Sequence, residues 1–224
     1  MSWTAAGDGL EELVIQLAQR IQGKYFGKYR GFVVDNADPS HIGRLKLRVP
    51  SVLGTTELDW ARPCLPFGGL ANQGLFVIPE KEAQVWVEFE EGELSQPIWT
   101  GTFWQKADES PKEAQRDPPT TRVLKTPTGH VLQFDDEKDK EKIILHHMKG
   151  AELSIDENGT VVWTDAAGST LTMDADAGEV VVSEANGNTV SMTSSGTTIE
   201  DANGNKIEMT SSGIKITADK VEIA

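Results

Sequence analysis

Two nearly identical stretches follow one another late in the sequence: Ala-Asn-Gly-Asn-Thr-Val-Ser-Met-Thr-Ser-Ser-Gly at residues 185–196 and Ala-Asn-Gly-Asn-Lys-Ile-Glu-Met-Thr-Ser-Ser-Gly at residues 202–213. They belong to a longer repeat in which apolar residues stand three and five positions after a glycine. The glycines with this spacing are Gly129, Gly150, Gly168, Gly187 and Gly204. A fixed period of about 17–21 residues is typical of a stacked array. The repeat therefore predicts a rod of stacked strands over the last hundred residues.

The apolar pairs of the repeat predict one buried face. Side chains three and five positions after each glycine share a face, because strand side chains alternate with period two. The position between them is polar in every block, as at Ser154 and Ser191. We expect the needle core to consist of Leu153, Ile155, Leu171, Met173, Val190, Met192, Ile207 and Met209. A single chain would leave this narrow apolar stripe uncovered.

Composition limits the classes of function. The 224 residues carry a formal net charge of −14, which argues against a surface that binds nucleic-acid phosphates. Acidic residues outnumber basic ones by thirteen to four from Met148 onward, as expected for the solvated face of a rod. The single cysteine, Cys64, excludes an intrachain disulfide. With no visible signal peptide and no apolar run of 18 residues, we expect a soluble protein that is assembled in the cytoplasm.

The sequence before the repeats divides into three segments. Residues 1–24 contain a predicted helix at 8–22, whose apolar residues pack either on their own domain or on a neighbouring subunit. Residues 25–104 form an all-β domain whose five short strands predict a closed barrel. Residues 105–122 are polar and proline-rich and are interpreted as a linker, and the repeat region follows at 123–224. The predicted strands of the barrel are 29–35, 44–49, 75–78, 84–90 and 97–104.

Several blocks of the middle segment resemble the oligonucleotide/oligosaccharide-binding (OB) domain of phage baseplate spike proteins. The blocks, in order, are Asp38–Pro50, Asp59–Pro63, Gly74–Glu80, Val85–Glu90 and Pro97–Gly101. The family includes the T4-like central spike, the baseplate assembly protein V group and the valine-glycine-repeat proteins of type VI secretion. The resemblance covers roughly residues 25–224 and implies a five-stranded OB barrel and an intertwined triple-stranded β-helix needle. Together with the N-terminal helix predicted above, the molecule is expected to be an all-β homotrimer.

The resemblance also implies partners and a location. We expect a structural, membrane-piercing spike at the tip of a contractile tail or phage-derived injection system, in the virion baseplate or the particle tip. A hub protein is expected to bind the helix at Leu10, Leu13, Leu17 and Ile21. A tip protein of the proline-alanine-alanine-arginine (PAAR) repeat type is expected to bind Val221, Ile223 and Ala224. The spike is expected to contact the target-cell membrane during injection. The short linker leaves no room for the lysozyme domain of the T4-like spike, so no muralytic activity is expected.

The sequence offers little evidence for chemistry. His146 and His147 are adjacent, so one strand would point them to opposite faces and they could not chelate one metal together. The mixed run Asp135–Lys142 lacks the glycine of a calcium loop and is interpreted as a solvated hairpin tip. No catalytic, cofactor-binding or metal-binding residue is predicted, and no cofactor. Two other classes stay open: a trimeric tail-spike adhesin or glycan-degrading enzyme on a β-shaft, and a barrel that binds single-stranded nucleic acid.

Overall fold

The computed structural model describes the backbone of residues 5–222 and the side chains of residues 10–222. The chain divides into two compact units, Met1–Glu109 and Ser110–Ala224. No helix among the described residues has both the length and the apolar character needed to span a bilayer.

The first unit contains a closed barrel with strand order β1-β2-β3-β5-β4. Neighbouring strands are antiparallel except β3 and β5, which are parallel. This confirms the predicted five-stranded barrel of OB type. The elements of the unit are α1 (Ala5–Ile21), β1 (Tyr29–Asp35), β2 (Leu45–Arg48), α2 (Pro50–Leu53), β3 (Glu57–Pro63), β4 (Gln84–Phe89) and β5 (Pro97–Thr102).

The barrel core follows from alternation along the strands. In β2 and the residue after it, Leu45, Leu47 and Val49 are fully buried, whereas the charged residues between them face outward. Strand β4 contributes Val85 and Val87 in the same way. The remaining members of this core are Val33, Leu58, Ala61, Phe89 and Trp99.

One predicted strand is wrong. Residues 75–78 are not a strand, and the third strand of the barrel is Glu57–Pro63 instead. Its buried residues, Leu58 and Ala61, are three positions apart because the pairing with β2 shifts register between Leu45 and Leu47. This irregularity removes the period of two by which a strand is recognised. Residues 75–77 instead lie exposed in the long loop between β3 and β4.

Helix α1 leaves its apolar side chains in solvent. Leu10, Leu13, Leu17 and Ile21 are between 50% and 64% exposed. The sequence allowed this helix to pack either on its own domain or on a neighbouring subunit. The structure does not show packing on its own domain. The helix begins earlier than the predicted residue 8, because its N-terminal turn includes Ala5.

The second unit is one antiparallel sheet of eleven strands in sequence order. The strands are β6 (Thr121–Lys125), β7 (Val131–Asp135), β8 (Lys142–His146), β9 (Glu152–Ile155), β10 (Val161–Thr164), β11 (Thr170–Asp174), β12 (Glu179–Ser183), β13 (Thr189–Thr193), β14 (Gly196–Glu200), β15 (Lys206–Thr210) and β16 (Gly213–Thr217).

The segment before the sheet, residues 110–120, contains a short 3-10 turn at Lys112–Ala114 and lies against the first two strands. Arg116 pairs with the buried Asp135 at 2.7 Å, and Glu113 pairs with Lys125 at 2.6 Å.

Candidate functional site: an apolar sheet face with stacked turns

One face of the eleven-stranded sheet carries an unbroken column of apolar side chains. Cross-strand pairing places one member on every strand, and each member stands directly opposite the next. Directly paired apolar side chains are the unit by which a sheet is stabilised. The column is Leu124, Leu132, Leu145, Leu153, Trp163, Leu171, Val182, Val190, Ile199, Ile207 and Ile216.

A second column runs beside the first on the same face. It is apolar on nine strands and interrupted by Arg122 on β6 and Thr197 on β14. The apolar members are Phe134, Ile143, Ile155, Val161, Met173, Val180, Met192, Met209 and Ile214. We call the two columns together the apolar face. All eight predicted needle-core residues lie on it.

Much of the apolar face is exposed to solvent in the part of the chain that the structure describes. Trp163 is 60% exposed, Leu145 55% and Ile216 52%. An exposed apolar patch of this extent marks an interaction site. The central column of the opposite face contains polar residues on alternate strands, such as Gln133, Ser154, Thr172 and Ser191. Apolar residues such as Ile144, Val162 and Val181 stand on the strands between them, so the opposite face is mixed and only the apolar face carries an unbroken apolar column.

The glycines of the repeat sit in five-residue turns along one edge of the sheet. Each turn is closed by two backbone hydrogen bonds. In the turn 201–205, for example, Gly204 N–H donates to the Asp201 carbonyl at 3.1 Å, and Asp201 N–H donates to the Asn205 carbonyl at 3.0 Å. The glycine adopts a φ of +87°, where other residues are strained. The same pattern occurs at 126–130, 147–151, 165–169 and 184–188.

Successive turns on this edge are joined by side chains. The last residue of one turn accepts a hydrogen bond from the second backbone N–H of the next turn. Asn188 Oδ1 accepts from Ala202 N–H at 3.3 Å, and Ser169 Oγ accepts from Ala185 N–H at 3.3 Å. His130 Nδ1 is 3.4 Å from Met148 N–H in the first pair of turns. We call this series the turn ladder.

The turn ladder has one missing member. At 147–151 the last residue is Ala151, which has no side-chain acceptor, so it offers nothing to the N–H of Ala166 in the next turn.

A carboxylate at the first residue of a turn adds hydrogen bonds within that turn. The backbone N–H groups of Ser169 and Ala167 donate to Asp165 Oδ1 at 2.9 and 2.8 Å and lower the pKa of that carboxyl group.

The two adjacent histidines, His146 and His147, have different neighbours. His146 Nδ1 lies 3.2 Å from Glu152 Oε2, whereas the His147 ring packs on the His130 ring with centroids 4.6 Å apart. The two adjacent histidines thus point apart, as their positions on the strand predict. Among residues 10–222, no group of three His, Cys, Asp or Glu side chains is placed to hold a metal ion.

A buried carboxylate organises the loop between β1 and β2 in the barrel. Asp38 accepts backbone N–H bonds from Ser40, Ile42 and Arg44 at 2.9, 3.1 and 3.2 Å, and its Oδ1 lies 2.7 Å from Arg44 Nη2. The side-chain hydrogen bond from Arg44 lowers the pKa of the Asp38 carboxyl group far below its usual value, and the three backbone donors add to this effect. Beside this loop, Trp99 Nε1–H donates to the Gly43 carbonyl at 3.0 Å.

The predicted hub-binding residues of α1 are all described and exposed, whereas the predicted tip-protein site is only partly described. Of the predicted tip-protein site, Val221 is described and is 50% exposed, whereas Ile223 and Ala224 lie outside the described residues. The structure places Ile214 and Ile216 of β16 near this end of the sheet, 70% and 52% exposed.

The fold indicates the class of protein, because it combines a barrel of OB type with a sheet of short repeated strands. Residues 29–104 match the family model described as the type VI secretion system/phage-baseplate injector OB domain. This match confirms, for residues 29–104, the resemblance of the middle segment to a phage-baseplate injector OB domain.

A curated relative agrees with this assignment. The chain is 30% identical over 131 residues to the type VI secretion system spike protein VgrG3 of Vibrio cholerae serotype O1. The matched region covers 54% of this chain and 13% of that protein, so the chain spans only a small part of the relative's length.

Two features were missed by sequence reasoning. The turn ladder was not predicted because its acceptors, His130, Ser169 and Asn188, differ in type, although all stand one position after the repeat glycine. The cation–aromatic contacts on the barrel surface have no pattern along the sequence, because their members come from different strands.

Proposed function

We propose that the chain is a structural spike of a contractile injection system and that its apolar face is buried against two further copies in a trimeric needle. The observation that carries the proposal is the unbroken apolar column across all eleven strands. Exposure of so long an apolar column to water is unfavourable. Its burial between chains would stabilise the assembly by about 25 cal/mol for every Å² of apolar surface removed from water. The injector OB domain supports the assignment to a spike.

The threefold arrangement follows from the geometry of one narrow stripe. Two apolar columns on one face make a ribbon that is two side chains wide. Three such ribbons facing a common axis cover one another completely, while their opposite faces, with Ser154, Thr172 and Ser191, meet solvent. The stacked turns then stand along the outer edges of the needle. Every strand within the sheet is hydrogen-bonded to its neighbours, so axial load is distributed over many backbone bonds.

We further propose a purely mechanical role for the needle. The chain contributes stiffness for piercing the target-cell membrane and acts without catalysis, cofactor or bound nucleic acid. In this role the spike works at the tip of a phage baseplate or injection particle, after assembly in the cytoplasm. The alternative of a tail-spike enzyme has less support, because the loops between the repeat strands are short and carry no long insertion that could build a substrate groove.

Two docking roles complete the proposal. A hub protein binds the exposed stripe of α1, Leu10, Leu13, Leu17 and Ile21. A PAAR-type tip protein binds at the β16 end of the sheet, where an exposed strand edge with Ile214 and Ile216 invites pairing. Replacing Leu13 and Leu17 by Glu should reduce co-purification of the hub while the needle trimer persists. Collapse of the trimer with the hub still bound would refute the role of the helix.

The central experiment measures the oligomeric state in solution. Light scattering coupled to gel filtration should give three times the chain mass of 24.4 kDa. The variant Val190→Glu places a charge within the apolar column and should dissociate the trimer. The neighbouring Ser191→Glu places the same charge on the opposite face and should leave the trimer intact. A monomeric wild-type protein at micromolar concentration would refute the needle.

A further inference from the structure

The outer surface of the barrel carries a group of cations that rest on aromatic rings. We call it the basic face: Arg30 on β1, Arg44, Lys46 and Arg48 on or beside β2, and the rings of Phe32, Trp60, Trp86 and Phe103. The pairing of strands makes it continuous, because Arg30 stands opposite Trp86 and Phe32 stands opposite Arg48. Four clustered cations are unusual in a chain with a net charge of −14.

The cations of the basic face are held in place. Lys46 Nζ lies 5.3 Å from the centre of the Trp60 ring, and Arg44 Cζ lies 5.6 Å from the same ring. Arg30 Cζ lies 5.9 Å from the Trp86 ring and 5.6 Å from that of Phe103. Such contacts restrict long side chains before any partner arrives. Less conformational entropy is then lost on binding.

Two of these charges are free for a partner. Arg44 is neutralised by Asp38 at 2.7 Å, and Arg48 lies 3.9 Å from Glu82. Arg30 and Lys46 form no ion pair with any carboxylate in the part of the chain that the structure describes.

From these contacts we infer that the basic face of the barrel is a docking surface for an acidic protein surface, whose carboxylates pair with Arg30 and Lys46. Charge complementarity carries this inference. It stands on the barrel alone and does not depend on the trimeric needle. Rim charges of this type raise the association rate and set the orientation of the partner.

Single-stranded nucleic acid fits the basic face less well. Binding of that kind needs ring faces on which bases can stack. Trp60 is already flanked by two cations, and Trp86 packs on Phe103 with centroids 4.7 Å apart. In addition, Glu57 stands opposite Arg48 in the register and is exposed. A continuous phosphate backbone would meet this carboxylate, whereas a folded partner can place a neutral or basic group there.

The test compares two charge-reversal variants of the full chain. R30E/K46E reverses the free charges of the basic face. K138E/K149E is the matched control, because it makes the same change in net charge at two exposed lysines outside the barrel. The probe is a biotinylated peptide of repeated Glu-Ser-Gly units on a biosensor surface at low salt. A Gln-Ser-Gly peptide controls for charge, and single-stranded oligodeoxythymidine of equal charge tests the other class of partner.

We expect the wild-type protein and K138E/K149E to bind the glutamate peptide alike, and R30E/K46E to bind it about tenfold or more weakly. The neutral variant R30Q/K46Q should show an intermediate loss and keeps the test valid if charge reversal disturbs the fold. The inference is overturned if the wild-type protein ignores the glutamate peptide, or if both charge-reversal variants lose binding equally. Tighter binding of oligodeoxythymidine, lost in R30E/K46E, would overturn it in favour of a nucleic-acid surface.

Discussion

The backbone N–H of Ala202 donates to the side-chain Oδ1 of Asn188, 3.3 Å away, and so joins two turns that are separated by two strands of the sheet. Ala185 and Ser169 form the equivalent bond one repeat earlier. These bonds connect the repeated sequence to the stacking of the sheet, because the acceptor always follows the repeat glycine directly. The ladder therefore adds a lateral constraint at the edge, where backbone pairing between strands ends.

Removal of one ladder acceptor should destabilise the sheet modestly. Asn188→Ala removes the bond to Ala202 together with the bond that Asn188 Nδ2 donates to Glu184 Oε2 at 2.7 Å, and should lower the free energy of unfolding by about 0.5–1.5 kcal/mol. Urea unfolding followed by circular dichroism measures this change. Asn158→Ala is the control, since Asn158 lies in a turn of the opposite edge and its side chain makes no bond with the described residues. Equal losses in both variants would show that the ladder bond contributes nothing.

The missing member of the ladder can be added. Ala151→Asn places an amide at the position that Asn188 occupies in its own turn, where it can accept from Ala166 N–H. The variant should gain about 0.5–1 kcal/mol of stability, the usual value for one exposed hydrogen bond. Ala185→Asn introduces the same residue at a position that takes part in the ladder only through its backbone N–H, so the new side chain should give no gain. A loss of stability in Ala151→Asn would contradict the equivalence of the turns.

Two strand-initial glycines should respond differently to the same substitution. A Cβ on Gly196 would lie 2.1 Å from the Met209 carbonyl oxygen, whereas a Cβ on Gly213 has no heavy atom within 4 Å. Both have positive φ, +155° and +134°, so the backbone strain is shared. Gly196→Ala should cost about 3 kcal/mol, and Gly213→Ala clearly less. The melting temperatures of the two variants measure the difference, and similar values would contradict the close approach of β14 and β15.

The barrel should lose stability in acid through Asp38. Its folded pKa is depressed below the ordinary value of 3.8 by Arg44 and by backbone donors. The stabilisation is therefore complete above that ordinary value and declines as the pH falls through it towards the folded pKa. Asp38→Asn should be less stable than the wild-type protein at neutral pH, and this deficit should shrink on acidification. Thermal unfolding between neutral and strongly acidic pH tests this, and a constant deficit would assign the effect to packing.

The sequence predicted the parts of the fold that depend on local periodicity. Residues such as Leu45 and Leu47 alternate cleanly, and the glycine-spaced pairs such as Val190 and Met192 mark one face of a sheet. Strand β3 was missed because the register shift in its pairing with β2 separates Leu58 from Ala61 by three positions. The basic face could not be predicted either, because Lys46 and Trp60 meet only through the pairing of β2 with β3.

The barrel should fold without the repeat sheet. Every member of its buried core, from Val33 to Trp99, lies within Met1–Glu109, and all five strands are paired within that unit. A fragment of residues 1–109 should therefore unfold cooperatively and give dispersed amide signals in nuclear magnetic resonance spectra. Since it lacks the apolar face, it should also be smaller than a trimer in light scattering. An unfolded fragment would place the domain boundary elsewhere. A folded fragment that still forms a stable trimer would show that the barrel, and not the apolar face of the sheet, holds the copies together.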